Sequence, residues 1–387
     1  MLAEPRFRLL FLTRVLEVTA GSLRISTFSA LVYAGTGSAL LSALAFGAGF
    51  LPQALGSLLF GALADRLPPR ALITCGYLLE GAASALIALT RMPVWAALGL
   101  IALVALGTPV FSGASGRLVA RWLTGDAYVL GRSLSNMAGS GAQLFGLALG
   151  GAAVAALGPR AALAGGAAIH LLCAAAIRLR LPRIAVERRA AASGGTLRRS
   201  LRGNRELLGE RPVRRLLLAQ WLPSAFVAGA EGLITAYAGG RGLPAGSYAV
   251  LMACLPVGML LGDLLVGRFV RPARRERLVV PLIALMGLPL LGFAAEPGRL
   301  LAAVLLLAAG FGFAHGLGLQ REFLAALPEE GQGQAFGLLG SGMMTLQGLA
   351  PACVGALAPL TGTGGAMAVA GVGALGTAGW ILAWRRR

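Results

Sequence analysis

Fifteen acidic side chains and two histidines are all that this 387-residue chain offers for acid–base chemistry. Several of them stand inside long apolar runs. Glu17 follows Arg14 by one helical turn and precedes Arg24 by two, so the three share one helix face. Glu231 lies in SAFVAGAEGLITAYA, with no basic residue within a turn. An ionised group at the centre of a membrane helix costs about 2.5–3.5 kcal/mol on insertion scales, so each such residue calls for a partner or a task. Glu17 and Arg24 are candidates for binding a substrate or a proton. A satisfied pair within the helix is the competing reading, and the preferred one for Arg14. Glu231, a lone carboxyl in a low dielectric, is the leading candidate for proton coupling. Its alternatives are a polar contact between helices and a position nearer the outer surface. Glu80 lies midway through the third apolar run. Asp263, one turn before Gly267-Arg268, is expected to pair with Arg268.

The remaining polar residues do not assemble a reaction centre. His170 and His315 are far apart, and read as packed, hydrogen-bonded side chains. Cys75, Cys173, Cys254 and Cys353 are isolated in apolar runs and read as small buried hydrophobes. No paired carboxylates, histidine cluster or metal-ligand spacing points to catalysis. The chain has no lysine, which excludes a GxxxxGK[ST] nucleotide loop and an ATP-driven pump. No catalytic residue, metal or cofactor is therefore expected. Asn136, Gln143, Gln220, Gln320 and Gln347 could line a cavity or join helices.

Composition dictates what positions these groups. Hydrophobic residues make up 57% of the chain and charged residues 13%, with a mean hydropathy of +0.77. A soluble domain carries about 25% charged residues. The 57 glycines are spread through the apolar runs, as membrane helices tolerate. Twelve runs are long enough to cross about 30 Å of hydrocarbon. They lie at 8–33, 38–64, 71–90, 93–113, 131–157, 160–181, 213–238, 245–267, 277–295, 298–320, 334–358 and 363–384. The first run follows Arg6 and Arg8 without a small-residue cleavage site, so it reads as a span rather than a signal peptide.

Arginine orients the set. All 34 basic residues are arginine, and the net charge is +19. Only Arg91, Arg160, Arg241 and Arg299 fall in the odd loops, while Arg14 and Arg24 lie inside the first span. Every other arginine lies in the even loops, the termini or the adjoining helix ends. The positive-inside rule then places both termini in the cytoplasm. Inward positive charge also accounts for the basic balance without nucleic acid. The one long polar segment, 182–212, separates a six-span half at 1–181 from another at 213–387. Its Arg-rich part fits an amphipathic helix lying along the membrane. The halves repeat weakly: Gly56 to Arg66 and Gly258 to Arg268 have the same spacing, each a glycine-rich helix that ends in a basic turn. Internal repeats of this kind characterise secondary transporters, whose substrate sits between the repeats.

The segment Gly61-Ala-Leu-Ala-Asp65-Arg66-Leu-Pro-Pro-Arg70 resembles the signature turn between the second and third helices of the major facilitator superfamily. With Thr36 to Phe60 before it, it is similar to drug- and metabolite-efflux members of actinobacterial type. The resemblance runs over essentially the whole chain. It implies an all-α polytopic fold, with twelve transmembrane helices in two pseudo-symmetric six-helix bundles. It further implies that Asp65, beside Arg66 and Arg70, helps to hold the halves shut on the cytoplasmic side, and that the third helix is peripheral, so that Glu80 reads as a structural partner. An Asp65 contact with an arginine or a helix N-terminus would do so physically. A glycine-rich motif of the fifth helix is matched at Gly146, Gly150 and Gly151, with Leu147 at its proline position. The family's basic residue in the fourth helix has no clean counterpart, since Arg117 and Arg121 lie past Pro109 and Gly113. The expected activity is proton-coupled export of a small amphipathic drug or metabolite, by a monomer in the cell membrane. Its partners are that cargo, protons and the bilayer. Uptake or uniport, a non-transporting receptor or scaffold, and a polytopic membrane enzyme are the alternatives.

Overall fold

In this computed structural model the described residues are 4–60, 67–122, 126–182, 196–243, 247–327 and 332–385. Among them every regular element is helical. Ten segments are long and apolar enough to cross a membrane. The two other expected spans fall in the helices Asp126–Leu157 and Gln332–Gly355. The molecule is thus an all-α, multi-pass membrane protein, and it divides into two compact units. One comprises Met1–Ala34 and Ala48–Ala191, the other Gly35–Gly47 and Ala192–Arg387.

The first unit holds α1 (Pro5–Thr36), α3 (Phe50–Phe60), α4 (Pro69–Leu89), α5 (Val94–Trp122), α6 (Asp126–Leu157) and α7 (Pro159–Arg180). Proline opens several of these helices, where its missing N–H costs nothing and its fixed φ suits the first turn. Pro69 starts α4, and Pro159 starts α7 after Gly158 at φ 82°. Glycine sets how closely the helices approach. A Cβ at Gly146 or Gly150 of α6 would overlap the Thr19 carbonyl or the Ser26 hydroxyl of α1. One at Gly56 of α3 would overlap the Leu106 carbonyl of α5. Near the Arg-rich helix ends, Leu10, Ile73, Tyr77, Leu118 and Ile177 close an apolar core.

The second unit holds α2 (Ala39–Gly47), α8 (Thr196–Gly209), α9 (Arg211–Glu231), α10 (Ile234–Gly240), α11 (Ser247–Phe269), α12 (Pro272–Leu291), α13 (Arg299–Phe311), α14 (His315–Ala325), α15 (Gln332–Gly355) and α16 (Ala358–Arg385). Its pairings repeat those of the first. Gly258 of α11 meets the Leu307 carbonyl of α13, as Gly56 meets that of Leu106. α12 lies on α16 as α4 lies on α7, and α9 lies on α15 as α1 lies on α6. The matched spacing from Gly56 and from Gly258 therefore reflects one packing device used twice. Gly362, at φ 74°, kinks α16, so its long part begins where the sequence places the last span.

Three spans that read as continuous are broken. The second turns at Ala48 and Gly49 between α2 and α3. α2 packs in the second unit, where a Cβ on Gly47 would come within 2.7 Å of the Gly348 oxygen of α15. The seventh turns at Gly232 and Leu233 between α9 and α10. The tenth passes through a short 3₁₀ turn, Gly312–Ala314, between α13 and α14. Part of the polar segment folds as α8, whose Leu207 joins the core of the second unit beside Val213 and Leu217. Arg202 and Arg205 of that helix remain exposed.

Candidate functional site

In the first unit the intramembrane charges form two ion pairs. The Arg14 Nη1 lies 2.5 Å from the Glu17 Oε2, one turn on along α1. The long Arg24 side chain spans from α1 to α4, bringing its Nη1 2.5 Å from the Glu80 Oε2. Glu80 is thus the structural partner expected of it, and Arg24 is the residue it partners. Counting 1.5 Å per residue puts Arg24 about 10 Å further along α1 than Glu17. Helical side chains lean back toward the N-terminus, which lets Arg24 reach down to the level of Glu80. The Thr108 hydroxyl of α5 donates to the other Glu80 oxygen at 3.3 Å.

Burial grades across this cluster. The Arg14 side chain is 42% exposed and Glu17 14%, while Arg24 and Glu80 are each 9% exposed. Arg14, Glu17, Tyr77, Glu80, Thr108, Ser112 and Ser115 line one cavity, together with Ile73, Gly76 and Phe111. Its space is about 20 Å³, enough for one water. His170 of α7 is fully buried within electrostatic reach of both Glu80 and Arg24. Its Nδ1–H donates to the Gly166 carbonyl at 2.9 Å, as a packed histidine should.

In the second unit Glu231 is the last residue of α9, at the break of the seventh span. Its side chain is half-buried, and among the described residues it makes no ion pair. The break rests on α15: a Cβ on Gly232 would come within 2.8 Å of the Pro351 Cβ, and one on Gly229 within 2.5 Å of the Val354 Cγ2. Discontinuous helices of this kind form binding sites in secondary transporters, because their ends present free backbone groups. His315 is buried, its Nδ1–H donating to the Gly312 carbonyl at 3.1 Å.

One expected contact is absent. Asp263 does not pair with Arg268: it faces outward on α11, with no ion pair among the described residues. The glycines of the helix explain this. Gly258 and Gly262 take the buried face against α13, which turns the next residue, Asp263, outward. The neighbouring turn is tied instead by Arg275, whose Nε and Nη2 donate to the Val270 and Gly267 carbonyls at 2.8 and 2.6 Å. These bonds close the free carbonyls at the end of α11. Glu276 pairs with Arg321 at 2.9 Å, and Glu322 with Arg385 at 2.7 Å, joining the ends of α12, α14 and α16.

Gly61, Asp65 and Arg66 of the signature turn lie outside the described residues, as do the side chains of Arg117, Arg121 and Asn136. Arg70 is described, and its Nη2 donates to the Arg178 carbonyl in the last turn of α7. Gly146 and Gly150 sit in the contact of α6 with α1, and Gly151 beside them is buried. Gln220 donates to the Leu216 carbonyl of its own helix, and Gln143 and Gln320 are exposed. Sequence reasoning overlooked the link from Arg24 to Glu80. Two opposite charges in spans of one half were the only pointer available.

The fold and the family model together define a multi-pass membrane transporter rather than an enzyme. The chain belongs to the Major Facilitator Superfamily, whose model matches residues 10–323. No curated protein sequence matches it. Among solved structures, it is similar to a bacterial homologue of the human lysosomal transporter Spinster, at 15% identity and a TM-score of 0.69. That match covers 98% of this chain and 95% of the other. A POT family transporter in complex with 5-aminolevulinic acid matches at 10% identity and a TM-score of 0.76, over 98% and 95% of the two chains. The nucleoside transporter NupG matches at 14% identity and a TM-score of 0.70, over 97% and 99%. At these identities the likeness is one of fold.

Proposed function

We propose that the protein is a secondary carrier that exports a small amphipathic drug or metabolite in exchange for protons, working by alternating access. The observation that carries the coupling is Glu231, a half-buried carboxyl without an ionic partner among the described residues, placed where the seventh span breaks. A carboxylate kept in a membrane helix without a cation gains stability by taking up a proton, and broken helices are where secondary carriers place substrate and coupling-ion sites. Glu17 and Arg24 are the second candidate pair for proton or substrate. The arginine distribution supports a cell-membrane protein with cytoplasmic termini. Export is favoured by the Gly61–Arg70 turn, which with Thr36 to Phe60 is similar to that of efflux members; the fifth-helix glycines Gly146, Gly150 and Gly151 lack the motif's proline and carry no direction. The carrier works as a monomer of two six-helix halves, 1–181 and 213–387, joined by 182–212. Arg70, with Asp65 and Arg66, belongs to its gating turn.

Sealed proteoliposomes containing a pH-sensitive dye test this. A panel of amphipathic drugs and metabolites is added to the wild type and to Glu231→Gln. The expected result is a cargo-dependent pH change in the wild type that Glu231→Gln loses while remaining folded. Labelled cargo that crosses with no pH change overturns the antiport and leaves facilitated diffusion or another coupling ion.

A further inference from the structure

We propose that the first unit contains a proton relay of its own, in which Glu17 and Glu80 share one water-sized cavity and Glu80 is the terminal acceptor. The inference rests on the proton coupling proposed above and adds a site to it. Three observations carry it. First, the cavity is lined by both carboxylates and by the hydroxyl-bearing Tyr77, Thr108, Ser112 and Ser115, so a water within it has several partners. Second, exposure falls from Arg14 through Glu17 to Glu80, which gives the path a mouth and an end. Third, the Arg24–Glu80 pair is close but poorly bonded. Among the described residues, neither the Arg24 Nη1 nor the Glu80 Oε2 makes an aligned hydrogen bond, and the buried Arg24 Nε has no partner. A buried ion pair persists against neutralisation only when its remaining donors and lone pairs are satisfied. This one is not.

The charged and titratable groups around Glu80 are few. Among the described residues, α1 contributes Arg14, Glu17 and Arg24, α7 contributes His170 and Cys173, and α4 contributes Tyr77, while the polar α5 residues that line the cavity offer only hydroxyls. The transfer balances without any other reactant. A hydronium ion at the Arg14 mouth gives its extra proton to a Glu17 oxygen and leaves as water. The Glu17 O–H then breaks as a cavity water accepts that proton and passes one of its own to a Glu80 oxygen. Glu80 becomes neutral, and its Coulomb attraction for Arg24 is lost. The Thr108 hydroxyl, a donor to the carboxylate, can accept from the new O–H. The outcome is a loosened contact between α1 and α4, in the unit that does not contain Glu231.

Two measurements test this. In vesicles without cargo, infrared difference spectra between acidic and neutral pH report the carbonyl stretch of protonated carboxyls. The expected spectra of wild type and Glu231→Gln both contain a component that Glu80→Gln removes and Glu80→Asp shifts. The Asp variant keeps the test open if the Gln variant does not fold. Identical spectra for the wild type, Glu80→Gln and Glu80→Asp would falsify the relay. In proteoliposomes, Glu80→Gln and Glu80→Asp are expected to move fewer protons per cargo molecule than wild type; an unchanged ratio also overturns it. A Glu80 signal in the infrared, with no proton movement by wild type under any cargo, keeps the site and rejects coupled export.

Discussion

A guanidinium and a carboxylate, each only 9% exposed, meet between α1 and α4 in surroundings that offer Arg24 little else. Removing one member of such a pair leaves the other charge buried and alone, which costs about 3–5 kcal/mol, whereas replacing both with apolar side chains is often neutral. Arg24→Met and Glu80→Met are each expected to lower the thermal stability of the detergent-purified protein by that order. The double variant is expected to recover most of it, and a double variant as unstable as the sum of the singles would show that the two residues do not interact. The exposed Arg241–Glu296 pair is a built-in comparison. At 3.0 Å, with side chains 40% and 54% exposed, it should contribute little. The sequence marks Arg14, Glu17, Arg24, Glu80 and Glu231 as conspicuous, because charge in an apolar run is conspicuous whatever the fold. It does not say who meets whom. Arg14 and Glu17 are neighbours through helical periodicity, but the Arg24–Glu80 contact depends on how two helices pack.

Glycine governs the helices at the next scale. A methyl group at Gly146 or Gly150 has no space against α1. Gly146→Ala and Gly150→Ala are therefore expected to destabilise by about 1–3 kcal/mol each, the usual cost of overpacking. Gly139→Ala and Gly141→Ala, in the same helix with nothing within 4 Å of the added atom, should be neutral or mildly stabilising through helix propensity. Thermal melts of the four variants decide this, and equal effects at all four positions would refute the packing account. The ends of these helices are legible in sequence, since Pro69, Pro159, Pro272 and Gly362 act through local backbone geometry. The breaks at Ala48–Gly49 and Gly232–Leu233 are not. With 57 glycines spread along the chain, a glycine that permits a turn looks the same as one that admits a neighbouring helix.

At the scale of the molecule, the arginine pattern makes a prediction about sidedness. In a background without Cys75, Cys173, Cys254 and Cys353, we expect Gly298→Cys to react with a membrane-impermeant maleimide on intact cells. Gly203→Cys should react only after the membrane is opened. The reverse pattern would invert the orientation. The twofold repeat is partly written in the sequence, in the shared spacing from Gly56 and from Gly258. The assignment of α2 to the second unit is not, because it depends on Gly47 meeting Gly348, and Ala43 meeting Gly355, across a long stretch of chain.

That assignment bears on how the protein can be dissected. The segment 182–212 is the obvious place to divide the gene, yet a fragment ending there would carry away α2, which covers Gly348 and Gly355 of α15. The remaining fragment would begin with α8 and expose a small-residue face that its own sequence cannot cover. The polypeptide is thus interlaced rather than strung end to end, and independently made halves would have to find each other before the later one was complete.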